Sequence, residues 1–330
     1  MYLPSTFTVA LIFLVISFIL WGGWPNTLKF SRGRFEFFYW DFIIAAFIIS
    51  IFLSCTMGVC GEYNISFWKE VFHAHLRHVI RAFVAGILFN VSNFLLVGAA
   101  SVCGIAYAFL ACFGSSLVVD SVLRFIMAPA VSPLALIFGN IFLIVAIFLA
   151  TFAYHKIPSK MMFFKKGVTV ALLSGILLGL FFPLLAKDMH LVGMKHLSPY
   201  AALVVFTVGL VVSNFIINII LMKKPLFGHP LVISDYFRMR LSSHLPGLIG
   251  GVIWGVGLNF RLIAMNVTTQ VIEYGCIRGA PFLTVLFGVY LWKEFPDDRI
   301  VNRLVKLFLI SYFLGLVLVG VDEWLRKLPY

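Results

Sequence analysis

Apolar residues in this chain come in long unbroken runs, without the strict alternation of a half-buried strand. The runs fall near 8–28, 40–59, 79–99, 102–123, 134–154, 168–186, 199–222, 245–266, 269–292 and 304–323. Each is close to the roughly 20 residues that carry a helix across a bilayer core. Only helices or closed barrels satisfy the backbone in lipid, and runs without alternation point to helices. The expected fold is therefore an all-α polytopic membrane protein with ten transmembrane helices. Charged punctuation separates the runs, as at Arg32-Gly33-Arg34, Lys156 to Lys166, Lys223-Lys224 and Asp297-Asp298-Arg299. Two joints, Ala100–Gly104 and Val267–Gln270, are so short that each predicts a hairpin of antiparallel helices. The first run lacks a basic leader and a small-residue cleavage site, so it reads as a retained helix.

The second half of the chain echoes the first. Pro25 at the end of the first run corresponds to Pro183 in the sixth, and the two tight hairpins correspond to each other, which sets Asn93 opposite Asn259. Residues 1–157 and 158–330 then form two five-helix repeats with no soluble domain. Five spans per repeat is an odd number, so the copies insert with opposite orientation. Inverted repeats that rock about a central site are a transporter pattern.

The composition narrows the function. The chain is 62% hydrophobic and only 12% charged, against roughly 45–50% and 25% in soluble domains. Ten spans leave no room for a separate catalytic domain. The net charge of +12 is scattered among loops and forms no basic patch, which excludes a nucleic-acid partner. Loops after odd-numbered spans hold fifteen cations and the opposite side eight. The excess belongs in the cytoplasm, so both termini are expected on the non-cytoplasmic side of a cell (inner) membrane. The five cysteines have no paired spacing and read as small apolar residues.

Polar residues inside the runs are the candidate chemistry. Arg278 lies nine positions into the ninth span, about 13–15 Å deep, where a charge is costly and normally meets a partner or a ligand. Arg261 and Glu273 stand six residues either side of Val267 and reach one depth across the hairpin, as a gate or a structural pair. Asp120 and Arg124 share a helical face at an i, i+4 step. Asp41 sits where a carboxylate suits a helix N-terminus. Asn90, Asn93 and Asn259 carry amides that need partners in lipid, and Trp24 and Tyr274 could stack on a ring. Gly247, Gly251 and Gly255, like Gly175 and Gly179 and like Gly275 and Gly279, have the four-residue spacing that lets helices approach closely, and Pro281 removes a backbone donor beside the last pair. His73, His75 and His78 do not share one helical face and give no metal site. No phosphate loop, nucleophile elbow or zinc motif occurs, so neither an enzyme nor a cofactor is expected.

Several of these residues also resemble a known family. Leu20-Trp21-Gly22-Gly23-Trp24-Pro25-Asn26-Thr27, then Arg32 to Phe42, then Thr56-Met57-Gly58, are similar to the opening of the ureide permease-like branch of the drug/metabolite transporter superfamily. Its bacterial relatives are often labelled glucose/ribose-type sugar transporters. Pro281 followed by Gly288-Val289-Tyr290-Leu291-Trp292-Lys293-Glu294 resembles the family's Pro…Gly-Val-x-Leu-x-x-Glu ending. The resemblance implies secondary active transport of small polar solutes, with a coupling proton or sodium ion. Two features depart from it. Lys156 to Gly167 is short and lacks the phosphate-loop-like motif of plant members, and many superfamily members keep both termini in the cytoplasm.

The expectation is a permease for a sugar, nucleobase, nucleoside or ureide working by alternating access. Arg278, Asn93, Asn259, Asn90, Tyr274 and Trp24 would bind substrate, with Glu273, Arg261 and Asp120 as gate or coupling residues. The partners are the solute, the lipid bilayer and a coupling ion, and a homodimer is left open. A multidrug or metabolite exporter of the same fold is the alternative, ahead of an intramembrane enzyme.

Overall fold

The computed structural model describes residues 1–60, 67–127, 132–156, 164–186, 197–265, 267–268 and 270–325, with the side chains of 124, 164, 181–186, 270–277 and 322–323 set aside. The described chain is helical throughout, without a strand. Its helices are α1 (Phe7–Gly23), α2 (Thr27–Phe30), α3 (Phe35–Thr56), α4 (Phe67–His73), α5 (Leu76–Cys103), α6 (Ile105–Met127) and α7 (Pro133–His155). They continue as α8 (Phe164–Ala186), α9 (Pro199–Lys223), α10 (Ile233–Phe237), α11 (Leu241–Ala264), α12 (Gln270–Leu286) and α13 (Arg299–Leu325). Eight segments among the described residues are long and apolar enough to cross a membrane, namely α1 with its continuation to Phe30, α3, α5, α6, α7, α9, α11 and α13. Large apolar side chains such as Ile137, Phe138, Phe148 and Phe152 of α7 are exposed, as lipid-facing residues must be. The chain is a multi-pass helical membrane protein.

Several helices begin earlier than the apolar runs. α3 starts at Phe35, α5 at Leu76 and α13 at Arg299, because hydrogen bonding continues through charged turns that hydropathy does not count. Asp41 therefore lies inside α3 and does not cap it; the N-cap is Arg34.

The chain forms two compact units, each drawn from both halves of the sequence. The first comprises Met1–Phe94 and Phe181–Thr269. Its organising contact is α11 against α3, where the predicted glycine spacing comes into use. A Cβ at Gly247 would meet the Phe38 carbonyl at 2.6 Å, and one at Gly255 would meet Ile49 at 2.5 Å; Gly251 faces the Phe42 carbonyl and Ala45. α1 joins the pair through Ser17, whose hydroxyl donates to the Gly257 carbonyl at 2.7 Å. α9 packs on α3 with Ser50 Oγ 2.8 Å from Thr207 Oγ1.

The second unit comprises Leu95–Leu180 and Gln270–Tyr330. α7 and α13 pack closely, and Ser311 donates to the Phe142 carbonyl at 2.8 Å. Gly104 alone separates α5 from α6, at φ +84°. The Glu294 carboxylate then caps α6, accepting from the backbone N–H groups of Ile105 at 2.9 Å and Ala106 at 2.8 Å. A carboxylate suits a helix N-terminus, where amides are unpaired and the helix dipole is positive. A Cβ on Gly104 would lie 2.6 Å from that carboxylate. Glu294 is brought there by a π-helical turn, Phe287–Leu291, that ends the helix containing Pro281.

Candidate functional site

In the first unit aromatic side chains of four other helices gather around a buried tryptophan. Trp254 of α11 meets Phe89 of α5 at a ring-centroid distance of 5.0 Å, Phe42 of α3 at 5.7 Å, and both Phe206 of α9 and Trp21 of α1 at 6.2 Å. Amphipathic periodicity does not produce this convergence, since all four helices are apolar on most faces; the glycine contacts do, by drawing α11 onto α3. Trp24 belongs to the 3-10 turn after α1, is buried, and packs on Phe42 at 4.8 Å.

Asn90 follows Phe89 directly. Its backbone carbonyl accepts from the Tyr39 hydroxyl at 3.2 Å, and Tyr39 also lies within hydrogen-bonding reach of Asn93. The structure thus brings Asn90 and Asn93 together under one tyrosine. Asn259 is on α11, five residues beyond Trp254. Asn90 and Asn259 are both 0% exposed. Neither amide atom of either residue has a hydrogen-bond partner among the described residues. Asn214 of α9, absent from the expected set, is in the same condition. Its polar character in an apolar run was visible in the sequence. Native interiors pair such groups almost without exception, because an unpaired buried amide costs about 1–3 kcal/mol.

Arg261 is also buried, two residues past Asn259, with its guanidinium 5.7 Å from the centre of the Trp21 ring. A cation over an indole face is favourable, more so when desolvated. The expected partner Glu273 and the expected stacking residue Tyr274 have side chains outside the described residues.

A different polar group occupies the second unit. Arg278 Nη2 of α12 lies 2.7 Å from Asp120 Oδ2 of α6, both buried. Asp120 thus meets Arg278, while the side chain of Arg124 is outside the described residues. Ser116, one turn before Asp120, is buried with its hydroxyl unpartnered among the described residues, and so is the Tyr312 hydroxyl of α13. Tyr312 stacks on Phe282 at 5.6 Å. The arrangement is a neutralised ion pair flanked by hydroxyls. An anionic ligand would have to compete with Asp120 for the guanidinium.

A third cluster did not register in the sequence. The Asp41 carboxylate of α3 accepts from the Tyr236 hydroxyl of α10 at 2.6 Å, and His244 Nδ1 of α11 lies 2.9 and 3.0 Å from its two oxygens. Burial, together with the adjacent carboxylate, pushes the Tyr236 phenol well above its ordinary value, so it stays a proton donor. Asp41 is 195 residues from Tyr236 and 203 from His244, and none of the three is remarkable by local spacing.

No protein-family model and no curated protein matches the chain. Solved structures do match, among them one that covers 98% of this chain and 99% of its own length, with a TM-score of 0.57 at 12% sequence identity. At that identity the likeness concerns the fold alone.

Proposed function

We propose that the protein is a secondary active transporter of a small polar metabolite of the sugar, nucleobase, nucleoside or ureide class, working by alternating access. In this reading it belongs to the ureide permease-like branch of the drug/metabolite transporter superfamily. Ten spans, with α8 and α12 completing the set, form two inverted five-helix repeats in the inner membrane, and both termini are non-cytoplasmic. The observation that carries the proposal is two fully buried asparagines of the first unit, Asn90 and Asn259, whose amides have no hydrogen-bond partner among the described residues. An amide offers both donors and an acceptor, the complement of a hydroxylated or amide-bearing solute. The desolvation cost of leaving it unpaired is offset when such a solute binds. Asn93 and Trp24 belong to the same group, with Tyr274 added from the sequence. Arg278 with Asp120 is the proposed charge-switching element.

The test is a thermal-shift screen of nucleobases, nucleosides, ureides and sugars on purified protein, followed by uptake of the hit into proteoliposomes. Asn259→Leu should lose uptake by a factor of 10 or more, about 1.4 kcal/mol of binding. Its thermal midpoint without ligand should be equal to or above wild type, because an unsatisfied polar group has been removed. Undiminished uptake by this variant would remove the assignment. Binding of hydrophobic cations alone would favour the multidrug exporter.

A further inference from the structure

The third cluster extends the transport reading and rests on it only for its purpose. We propose that Asp41, His244 and Tyr236 form a proton-binding site at the junction of α3, α10 and α11, the point at which a proton controls the two helices that carry Tyr39 and Asn259.

The geometry determines where the proton goes. An ionised carboxylate can only accept hydrogen bonds, so the His244 Nδ1 that faces Asp41 must carry hydrogen, and in the neutral ring Nε2 is the remaining acceptor. One proton taken from water by Nε2 converts the contact from a neutral hydrogen bond to an imidazolium–carboxylate pair, and no other group is released. His244 is 15% exposed and Asp41 only 2%, so the proton can reach the ring while the carboxylate stays shielded. Tyr236 holds Asp41 Oδ1 throughout, and its ring is fixed against His244 at 4.8 Å and Phe37 at 6.0 Å.

Nothing else among the described residues competes for Asp41. On α3 the nearest carboxylate, Glu36, is held by Arg34 at 2.7 Å, and Arg34 also donates to the Phe227 and His229 carbonyls. Asp235 of α10, Arg240 at the start of α11 and Lys223 of α9 are exposed, and Lys29 of α2 makes no ion pair with Asp41. The proton is therefore the charge that changes this site. Its effect passes directly into packing, since Gly247, one turn beyond His244, would place a Cβ 2.6 Å from the Asp41 Cβ. A stronger Asp41–His244 attraction tightens α11 on α3 and holds α10 down; proton loss relaxes both.

The test needs no substrate. Full-length wild type, Asp41→Asn, His244→Gln and Tyr236→Phe in lipid nanodiscs are followed by infrared difference spectroscopy as pH is stepped between about 5 and 8, the range of histidine titration. Hydrogen exchange of residues 233–247 is measured in parallel, corrected for intrinsic rates. Because the chain has eight histidines, the His244 step is read as the wild-type spectrum minus that of His244→Gln, and α10 and the start of α11 should lose protection in wild type as pH rises. His244→Gln should lose the change in protection. Asp41→Asn should lose the pH-linked change in protection, because the imidazolium then has no carboxylate to pair with. If Asp41→Asn does not fold, His244→Gln and Tyr236→Phe decide the matter, the latter by a loosened α10 with the imidazole step retained. A wild-type spectrum identical in its imidazole bands to that of His244→Gln, or wild-type protection that is flat with pH, overturns the proposal. Failure of every solute in the uptake screen would overturn the transport reading and leave the titration intact.

Discussion

Replacing Asp120 by Asn would strand the Arg278 guanidinium in a buried site without its counter-charge. Breaking one half of a buried pair costs about 3–5 kcal/mol, whereas replacing both halves with apolar groups is often neutral. Asp120→Asn should therefore lower the thermal midpoint of the detergent-solubilised protein sharply, and Asp120→Leu combined with Arg278→Met should recover most of the loss. A double variant as unstable as the single one would show that the pair is not what holds α12 to α6. Arg278 was legible in the sequence because a cation deep in an apolar run is costly anywhere. Its partner was not: the i, i+4 step directs attention from Asp120 to Arg124, while the observed contact joins residues 158 positions apart. Asp41 was misread for a related reason. Hydropathy began the second span at residue 40, and the helix begins at Phe35.

At the scale of elements, the glycine spacing of α11 was readable and so was its consequence, a close helix–helix approach. What it packs against was not, because small-residue spacing has no address. The contact predicts opposite outcomes for two glycine substitutions. Gly251→Leu must part α11 from the Phe42 carbonyl and Ala45, and overpacking of this kind costs about 1–3 kcal/mol. Gly320→Ala in α13 meets nothing within 4 Å and should stabilise the helix by about 0.5–1 kcal/mol. Thermal midpoints of the two variants provide the check, and a neutral Gly251→Leu would refute the close contact. The short helices α4 and α10 left no hydropathy signal, being too brief to span and half exposed. The Gly-Val-x-Leu-x-x-Glu ending was visible as a motif, and the structure gives its glutamate a task, capping α6 across the Gly104 joint.

For the whole molecule, the apolar runs locate helices well because lipid imposes one requirement on every span. The grouping of those helices into two units, each taken from both halves of the chain, depends on side-chain contacts that hydropathy averages away. The charge asymmetry of the loops makes a prediction at this scale. With the native cysteines replaced, Ser5→Cys should react in intact cells with a membrane-impermeant thiol reagent, and Gly33→Cys should react only after permeabilisation. The reverse pattern would invert the orientation.

The α3–α11 contact has one more consequence. At Gly247 and Gly251 the α11 backbone lies directly against the Phe38 and Phe42 carbonyls, so few side chains interlock at those two points. The contact can behave as a bearing, on which α11 rolls past α3 while its polar residues are carried along. A single methyl added at Gly251 would lie 2.2 Å from the Phe42 carbonyl oxygen, so α11 and α3 must part to admit it.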